Sequence, residues 1–470
     1  MPAKQTLQSV LDHSENIVPI LRNSKIGMYV YPVLATEFTN WRDEMQAWRE
    51  TAVLMDLTNH MDELTIEGPD AAVFLQGLAI NSFANFDVNR AKHFVPVSPD
   101  GYVIGDMIVY RQTTDRFLLI GRAPTANWVE YNATLGKYDV RSVRDNRSPS
   151  RPDGEKVTRA HYRYQIQGPD APRVLEKMNG ASLPEIKFFH IGSINVAGRR
   201  VSALRHGMAG APGLEISGPY RERAEVREAI LAAARDVGVD LRQVGARAYT
   251  STTVESGWIP SPVPAIYTGD QLRPYREWLS DKSYEATASI GGSFVTDDIR
   301  DYYTTPHELG YDFYIKFDHD FVGRAALEDM QNRSHRKKVT FEWNPDDLIS
   351  VVRSAFDPGE TPYKWIDFPQ PNYASSGFDR VMRGERIVGL SMFNGYSYNE
   401  RSMLSLGLVE PDVEIGDVLT LIWGEPGGGT AKTSTERHRQ AEIRVRVQPT
   451  PYARSVRENY EGSWRAKQVR

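Results

Sequence analysis

Short apolar runs typical of strands alternate along the chain with segments of helical spacing. The clearest case occurs twice, 100 residues apart: residues 66–75 read IEGPDAAVFL and residues 166–175 read IQGPDAPRVL. Each copy predicts a strand that turns into a helix, because Gly allows a tight turn, Pro suits the first helical position and Asp in the first turn complements the helix dipole. A strand ending in Gly218-Pro219 likewise precedes the helical stretch 222–233. This repetition predicts an α+β protein built from two similar modules.

An amphipathic helix is predicted near the N-terminus, over residues 41–49. At helical spacing Trp41, Met45 and Trp48 fall on one face, and Asn40 precedes them as a suitable N-cap. We interpret this apolar stripe as part of the core and not as a cofactor-binding surface.

The pattern changes after about residue 335, where strands separated by Gly and Pro replace the helical spacing. Residues 338–343 (KVTFEW) and 444–447 (RVRV) are clear strands, so we expect a separate C-terminal β-rich domain. The Gly-rich stretch 427–433 in this region resembles a phosphate-binding loop, but Ala431 stands where the glycine before the Lys belongs. We interpret that stretch as a hairpin loop.

Length and charge narrow the class of protein. The chain has 470 residues, of which 40% are hydrophobic, which suits two to four domains of roughly 100–200 residues each. The net charge is −5 and the basic residues are scattered, so no nucleic acid partner is expected. No run approaches the roughly 18 apolar residues of a membrane span, and residues 1–5 do not begin an export signal. We therefore expect a cytoplasmic protein without a membrane partner, its oligomeric state open.

The absence of cysteine excludes several kinds of site. Thiolate zinc sites, iron–sulfur clusters, thiolate-ligated haem and cysteine nucleophiles all need a residue that this chain lacks. The ten His residues show no HxH or HExxH pairing, and no DxHxxG motif of corrinoid ligation occurs. We expect no metal site.

Several segments in fixed order resemble the aminomethyltransferase superfamily, whose best-known member is the glycine-cleavage T-protein. They are His60-Met61 before the first GPDA unit, the Gly-rich loop ending in residues 213–216, the stretch 247–257 and residues 320–324. The chain is more similar still to bacterial tetrahydrofolate-dependent aryl O-demethylases of the vanillate/3-O-methylgallate and syringate type. That resemblance runs nearly end to end, through residues 23–27 (NSKIG), 121–124 (GRAP), 205–213 (RHGMAGAPG), 255–260 (ESGWIP) and 395–400 (GYSYNE).

The resemblance implies three domains in a ring around a central folate channel. Two are related α/β modules interleaved in sequence, and the third is a C-terminal domain resembling a β-barrel. The expected bounds are 1–55 with 155–250 for the first, folate-binding α+β module, 56–154 with 251–334 for the second α+β module, and 335–470 for the C-terminal β-rich domain. This arrangement agrees with the 100-residue repeat and with the late change to strands.

The resemblance also implies which residues bind the substrate. Transfer of a methyl group from an aryl ether to folate N5 releases a phenolate, and a Tyr, with a reference pKa of about 10, is a matched proton donor for it. The similar enzymes have this catalytic Tyr at the position of Tyr249. Arg122 matches the residue that pairs with the substrate carboxylate, for which a guanidinium is a planar two-pronged donor. His60 and Tyr31 match other positions of the substrate pocket.

Three further residues match positions that line the folate, which is the expected cofactor. They are Gln165, Glu215 and Trp258. A buried Glu can accept two N–H bonds from the edge of a pterin while aromatic side chains cover its faces. The parent aminomethyltransferases carry an Asp near folate N5, and Ser82 stands at the equivalent place here, so we expect no cleavage of glycine-derived aminomethyl groups.

The expected function is tetrahydrofolate-dependent O-demethylation of a methoxylated aromatic acid, namely vanillate, syringate or 3-O-methylgallate. Two alternatives stay open: a folate-dependent demethylase of a non-aromatic donor such as a sulfonium or a methylamine, and a catalytically silent folate-binding regulator. Arg122 and Tyr249 favour the aromatic acid, because a sulfonium needs an anionic or aromatic cage and its leaving group needs no acid.

Overall fold

The computed structural model describes residues 5–14, 16–31, 33–145, 159–207, 210–260 and 262–459. Two stretches used above lie partly outside the described residues, namely the polar start at residues 1–4 and the Gly-rich loop at residues 208–209. In the described part of the chain, no helix is long and apolar enough to cross a membrane.

Strands make up both modules and the C-terminal region. Within the described ranges they are β1 (Ala52–Asp56), β2 (Asp62–Glu67), β3 (Arg90–Phe94), β4 (Met107–Arg111), β5 (Arg116–Gly121), β6 (Arg141–Asp145), β7 (His161–Gln167), β8 (Ile191–Val196), β9 (Arg199–Leu204), β10 (Gly213–Pro219), β11 (Leu241–Val244), β12 (Ile290–Gly291), β13 (Lys337–Trp343), β14 (Ser376–Gly377), β15 (Asp379–Arg383), β16 (Arg386–Ser397), β17 (Ser402–Val409), β18 (Val418–Trp423) and β19 (Ala441–Gln448).

Helices connect and cover these strands. They are α1 (Leu7–Asp12), α2 (Ile17–Asn23), α3 (Trp41–Glu50), α4 (Ala71–Gln76), α5 (Ala123–Thr134), α6 (Ala171–Asn179), α7 (Arg223–Asp236), α8 (Ala246–Ser256), α9 (Arg273–Trp278), α10 (Tyr284–Thr287), α11 (Arg324–Met330), α12 (Pro345–Ser354) and α13 (Arg454–Glu458).

Two open sheets and one closed barrel organise the chain. A six-stranded sheet has the order β11-β1-β7-β10-β9-β8, and a five-stranded sheet has the order β3-β4-β5-β2-β6. The C-terminal barrel closes in the order β13-β17-β16-β15-β18-β19. The α+β class and the predicted C-terminal barrel are confirmed, and the strands predicted at 338–343 and 444–447 lie in β13 and β19. The domain bounds themselves stay a prediction.

The two GPDA units join strand to helix as predicted, β2 to α4 and β7 to α6. One detail was wrong in both units: Pro69 and Pro169 do not occupy the first helical position. The N-caps are Asp70 and Asp170, and the helices begin at Ala71 and Ala171. Gly68 is required in the turn before α4, because its φ is +148° and a Cβ there would stand only 2.2 Å from the backbone oxygen of Asp139. Gly and Pro together form the turn, and the helix starts after it.

The predicted N-terminal helix α3 supports the helix that carries Tyr249. The Asn40 side chain caps α3 by accepting hydrogen bonds from two backbone amides at 3.1 Å. Trp41, Met45 and Trp48 are buried in one cluster with Tyr249 of α8, so the interpretation of this stripe as core is confirmed. Loss of such packing in a well-filled core is costly, which keeps α8 in position.

The barrel is fastened to the other side of α8. Glu255, near the end of this helix, accepts hydrogen bonds from Ser397 Oγ at 2.5 Å, Asn399 Nδ2 at 3.2 Å and Trp48 Nε1 at 2.9 Å. Burial raises the pKa of Glu255, and these donors with Arg49 offset part of that cost. The barrel strand β16 therefore lies directly against α8.

The Gly-rich stretch 427–433 connects the neighbouring antiparallel strands β18 and β19, so its interpretation as a hairpin loop is confirmed. Lys432 Nζ donates a hydrogen bond of 2.7 Å to the backbone oxygen of Ile290 and is buried. This lysine therefore fastens the loop to the rest of the molecule.

Candidate active site

Two adjoining cavities lie where the two open sheets and the barrel meet. The larger, of about 330 Å³, is lined by residues of β4, β7, β10 and β13, and the smaller is about 60 Å³. The two cavities share His60, Met61, Arg122, Tyr249 and Trp258. Because the larger cavity has several times the volume of the smaller one, it suits the bulkier of the two expected ligands, the folate.

The structure brings all seven predicted site residues to these cavities. Gln165 and Glu215 line the larger one, Tyr31 lines the smaller one, and the other four line both. These residues come from six separate parts of the chain, and the fold brings them together.

Tyr249 lies in the first turn of α8, and the preceding Gly245 fixes where that helix begins. A Cβ at Gly245 would stand 2.4 Å from the backbone oxygen of Thr36, so the close approach of the two segments requires glycine. In return the segment at Ala35 and Thr36 accepts hydrogen bonds from the first amides of α8, at 2.9 and 3.2 Å. The first backbone N–H groups of α8 thus have hydrogen-bond partners although the helix has no side-chain cap.

Aromatic rings surround the Tyr249 phenol. The Tyr31 ring lies edge-on at 5.1 Å and the His60 ring at 4.8 Å, while Tyr31 and His60 stack on each other at 5.1 Å. Tyr249 Oη is 3.1 Å from His60 Nε2, within hydrogen-bond distance. Burial raises the pKa of Tyr249 well above 10, so its phenol stays protonated at neutral pH.

Arg122 follows β5 as the N-cap of α5 and reaches into both cavities. Its Nη1 donates to the backbone oxygen of Pro260 at 3.2 Å, and its Nη2 is 3.4 Å from Tyr284 Oη. The guanidinium lies 4.7 Å from the centre of the Tyr29 ring, close enough for a cation–π contact. These contacts hold the guanidinium in one orientation beside the Tyr249 pocket.

The Glu215 carboxylate is fixed by neighbours within the protein. Its Oε1 accepts hydrogen bonds from Arg163 Nε at 3.0 Å, Arg163 Nη2 at 2.9 Å and Tyr110 Oη at 3.2 Å. Gln165 Nε2 donates to the backbone oxygen of His206 at 3.2 Å. Gln165 Oε1 and Arg163 Nη1 are buried and have no hydrogen-bond partner in the described part of the chain, so a ligand with donors and acceptors suits this wall.

Trp258 is oriented by a buried carboxylate that the sequence did not reveal. Asp106 Oδ2 accepts hydrogen bonds from Trp258 Nε1 at 2.9 Å and Tyr311 Oη at 3.1 Å, and it lies 2.7 Å from His93 Nε2. Burial by itself would raise the pKa of Asp106, but the hydrogen bonds, that with His93 first among them, lower it below its ordinary value. Asp106 therefore stays ionised and holds three aromatic side chains of the larger cavity.

Ser82 does not line either cavity. Its Oγ donates a hydrogen bond of 2.6 Å to Asp318 Oδ2, and it borders a neighbouring cavity with Lys92 and Lys316. Ser82 is thus separate from the Tyr249 phenol.

Arg163 carried a signal in the sequence that was overlooked. Along β7 polar residues alternate with Tyr162, Tyr164 and Ile166, and the polar face that includes Arg163 and Gln165 is as buried as the apolar one. A strand with two buried faces, one of them polar, is typical of a ligand site. Asp106 had no comparable signal, since its partners lie far away in the sequence.

The comparisons with known proteins agree with this fold and these cavities. Residues 25–261 match the model of the GCVT N-terminal domain, and the chain belongs to this family. A syringate O-demethylase from Sphingobium sp. (strain NBRC 103272 / SYK-6) is 45% identical, over 99% of this chain and 100% of that protein. A sesamin methylene transferase from Sinomonas sp. (strain No.22) is 29% identical, over 88% of this chain and 89% of that protein. The crystal structure of glycine cleavage system aminomethyltransferase T from Bartonella henselae has a TM-score of 0.59 and 17% identity, covering 96% of this chain and 98% of its own.

The comparisons confirm the predicted family, the fold class and a tetrahydrofolate-dependent enzyme. The larger cavity fits that cofactor, because the unpaired Gln165 Oε1 and Arg163 Nη1 match the donors and acceptors of a pterin edge. Phe188, Phe189 and Trp258 supply aromatic surface in the same cavity. The roles of the seven site residues stay predictions.

Proposed function

We propose that the chain transfers the methyl group of a methoxylated aromatic acid, such as vanillate, syringate or 3-O-methylgallate, to tetrahydrofolate. The observation that carries this proposal is that the two cavities share Tyr249, so that ligands in the two cavities meet at a buried phenol. The similarity to a syringate O-demethylase over nearly the whole chain supports an aryl methyl ether as the donor. We further propose that the enzyme serves the breakdown of lignin-derived acids in the cytoplasm.

When bound in the larger cavity, tetrahydrofolate supplies N5 as the acceptor of the methyl group. Gln165, Glu215 and Arg163 would hold its pterin edge, and Trp258 would cover one face. The overall exchange replaces the N5 hydrogen by methyl and the ether methyl by hydrogen, giving 5-methyltetrahydrofolate and a phenol. The protein groups therefore have to align the two reactants and to supply a proton to the departing oxygen.

Tyr249 is the proposed proton donor. Burial raises its pKa, so the phenol keeps its proton until negative charge develops on the departing oxygen. The contact with His60 Nε2 assists if that nitrogen carries the hydrogen. In this tautomer the imidazole donates to Tyr249 Oη, so the tyrosine hydrogen is left for the substrate oxygen and the tyrosinate is stabilised.

Arg122 is the proposed partner of the substrate carboxylate. Its guanidinium is already oriented by Pro260 and by the Tyr29 ring, so little side-chain entropy is lost on binding. Tyr31 and His60 present ring faces and edges to the substrate ring. The positive charge of Arg122 favours an aromatic acid, which is an anion, over a cationic sulfonium or alkylammonium ion.

A product assay tests the proposal. The protein is incubated with tetrahydrofolate and each of vanillate, syringate and 3-O-methylgallate, and the mixtures are separated by chromatography. We expect at least one demethylated phenolic acid, formed only when tetrahydrofolate is present. Tight folate binding without any demethylated product would instead support the catalytically silent regulator.

A further inference from the structure

The smaller cavity has a wall that comes from the C-terminal region. It is formed by the segment before β14 and by the middle of β16, and its residues include Gln370, Asn372, Ser375, Met392 and Phe393. This wall lies outside residues 25–261, which match the family model. The C-terminal region therefore contributes side chains to this cavity that the matched domain does not contain.

Gln370 is the polar side chain of this wall whose amide oxygen is left without a hydrogen-bond partner in the described part of the chain. Asn372 is paired with Asn394, since its Nδ2 donates to the backbone oxygen at 2.7 Å and its Oδ1 accepts from the backbone amide at 3.1 Å. Ser375 Oγ donates to the backbone oxygen of Ser289 at 2.8 Å. Gln370 is only 8% exposed, yet its Oε1 has no hydrogen-bond partner among the residues that the structure describes. Burying such an oxygen is unfavourable unless a ligand supplies the donor.

The backbone on both sides of Gln370 is held in place. The Pro369 backbone oxygen accepts a hydrogen bond of 2.6 Å from the Tyr396 amide of β16, and Asn372 is tied to the same strand. That strand packs on the helix of Tyr249, where a Cβ at Gly395 would stand 2.6 Å from Val254 Cγ2. The backbone that carries Gln370 is therefore fixed relative to Tyr249, which limits the positions that its side chain can take.

We propose that Gln370 is a specificity-determining residue that accepts a hydrogen bond from a hydroxyl group on the aromatic substrate. Met392 and Phe393 beside it are apolar, so an unpaired amide oxygen on this wall selects for a donor on the ring. A phenolic hydroxyl donates such a bond, whereas a methoxy group only accepts one. The inference rests on the proposed function, because it assigns the substrate of the same cavity.

The test compares two acids that differ only in the ring hydroxyl, syringate and 3,5-dimethoxybenzoate. For each, kcat/KM is measured with tetrahydrofolate, and Kd is measured by fluorescence titration of the folate-free protein. We expect the wild-type protein to favour syringate over 3,5-dimethoxybenzoate by at least about tenfold, both in kcat/KM and in Kd. Gln370→Leu should reduce both preferences by about tenfold or more, with little change for the acid that lacks the hydroxyl.

Two variants serve as controls. Gln331→Leu makes the same chemical change at an exposed position and should keep the wild-type ratios. Gln370→Met has the length of the native side chain and replaces Gln370→Leu if thermal melting shows that the branched variant is poorly folded. A folded Gln370 variant that keeps the wild-type preference for syringate in kcat/KM and in Kd would overturn the inference. If the wild-type protein demethylates neither acid, the proposed function fails, and the Kd ratio still decides the role of Gln370.

Discussion

Replacement of Tyr249 by Phe removes one hydroxyl group and keeps the ring that packs in the site. The ring contacts with Tyr31 at 5.1 Å and His60 at 4.8 Å do not involve the hydroxyl oxygen. The change deletes one buried hydrogen bond, that of 3.1 Å with His60 Nε2. Such a bond between neutral groups contributes about 0.5–1.5 kcal/mol to stability. We therefore expect the variant to fold and to bind both ligands.

The effect on the rate should be larger than this structural effect. A general acid contributes on the order of 10²–10⁴ in rate, which at about 1.4 kcal/mol for each tenfold is roughly 3–6 kcal/mol of the barrier. A lost ground-state hydrogen bond of about 1 kcal/mol accounts for only about a fivefold change. A loss in kcat of a hundredfold or more therefore identifies proton donation and not mere positioning.

The assay measures kcat and KM on the preferred acid, together with a ring-substituted analogue whose phenol is more acidic. The analogue should partly restore the rate of Tyr249→Phe, because a better leaving group needs less help from an acid. Tyr162→Phe is a matched control, since Tyr162 is fully buried and its hydroxyl lacks a hydrogen-bond partner in the described ranges. Wild-type kcat in Tyr249→Phe would refute the assignment.

Three further variants test other parts of the site and fold. Arg122→Ala should weaken binding of the acid by on the order of 2–5 kcal/mol if the ion pair is buried, and an unchanged Kd in a folded variant would refute the carboxylate role. Trp258→Ala should lower folate affinity at least about tenfold in a fluorescence titration, while Trp258→Phe should keep most of it. Equal folate affinities of the two variants would contradict the proposal that the Trp258 ring covers a face of the pterin. Burial raises the pKa of Asp379 from 3.8 to about 6, so its contribution to stability is greatest below pH 4 and is lost as the pH rises through 6. Asp379→Asn should raise the free energy of unfolding at pH 7 by roughly 1–3 kcal/mol. Denaturant curves in which the variant and the wild-type protein differ by the same free energy of unfolding at every pH would contradict this.

Local patterns predicted the elements well because their causes are local. Helix α3 follows from the spacing of three apolar residues and an Asn cap, and the structure confirms both. The start of α4 was misplaced by two residues, and the turn before it depends on the close approach of Gly68 to the backbone of Asp139, a neighbour distant in sequence. No local pattern could have indicated that contact.

The candidate site was predicted mainly through resemblance to a family. Composition and spacing alone do not distinguish Tyr249 from the other 22 tyrosines of the chain. Asp106 and Gln370 were missed because their surroundings arise only from tertiary packing: Asp106 meets Trp258 and Tyr311, and Gln370 stands on a wall of the C-terminal region. The buried polar face of β7 was the one missed feature that the sequence did display.

The most direct test of the central claim follows the methyl group itself. Syringate or vanillate carrying ¹³C in its methoxy group is incubated with the protein and tetrahydrofolate, with a chelator and without oxygen, and the products are analysed by NMR and mass spectrometry. We expect one labelled methyl group on folate N5 for each phenol formed. Label recovered as methanol or formaldehyde, or demethylation that proceeds without tetrahydrofolate, would contradict direct methyl transfer.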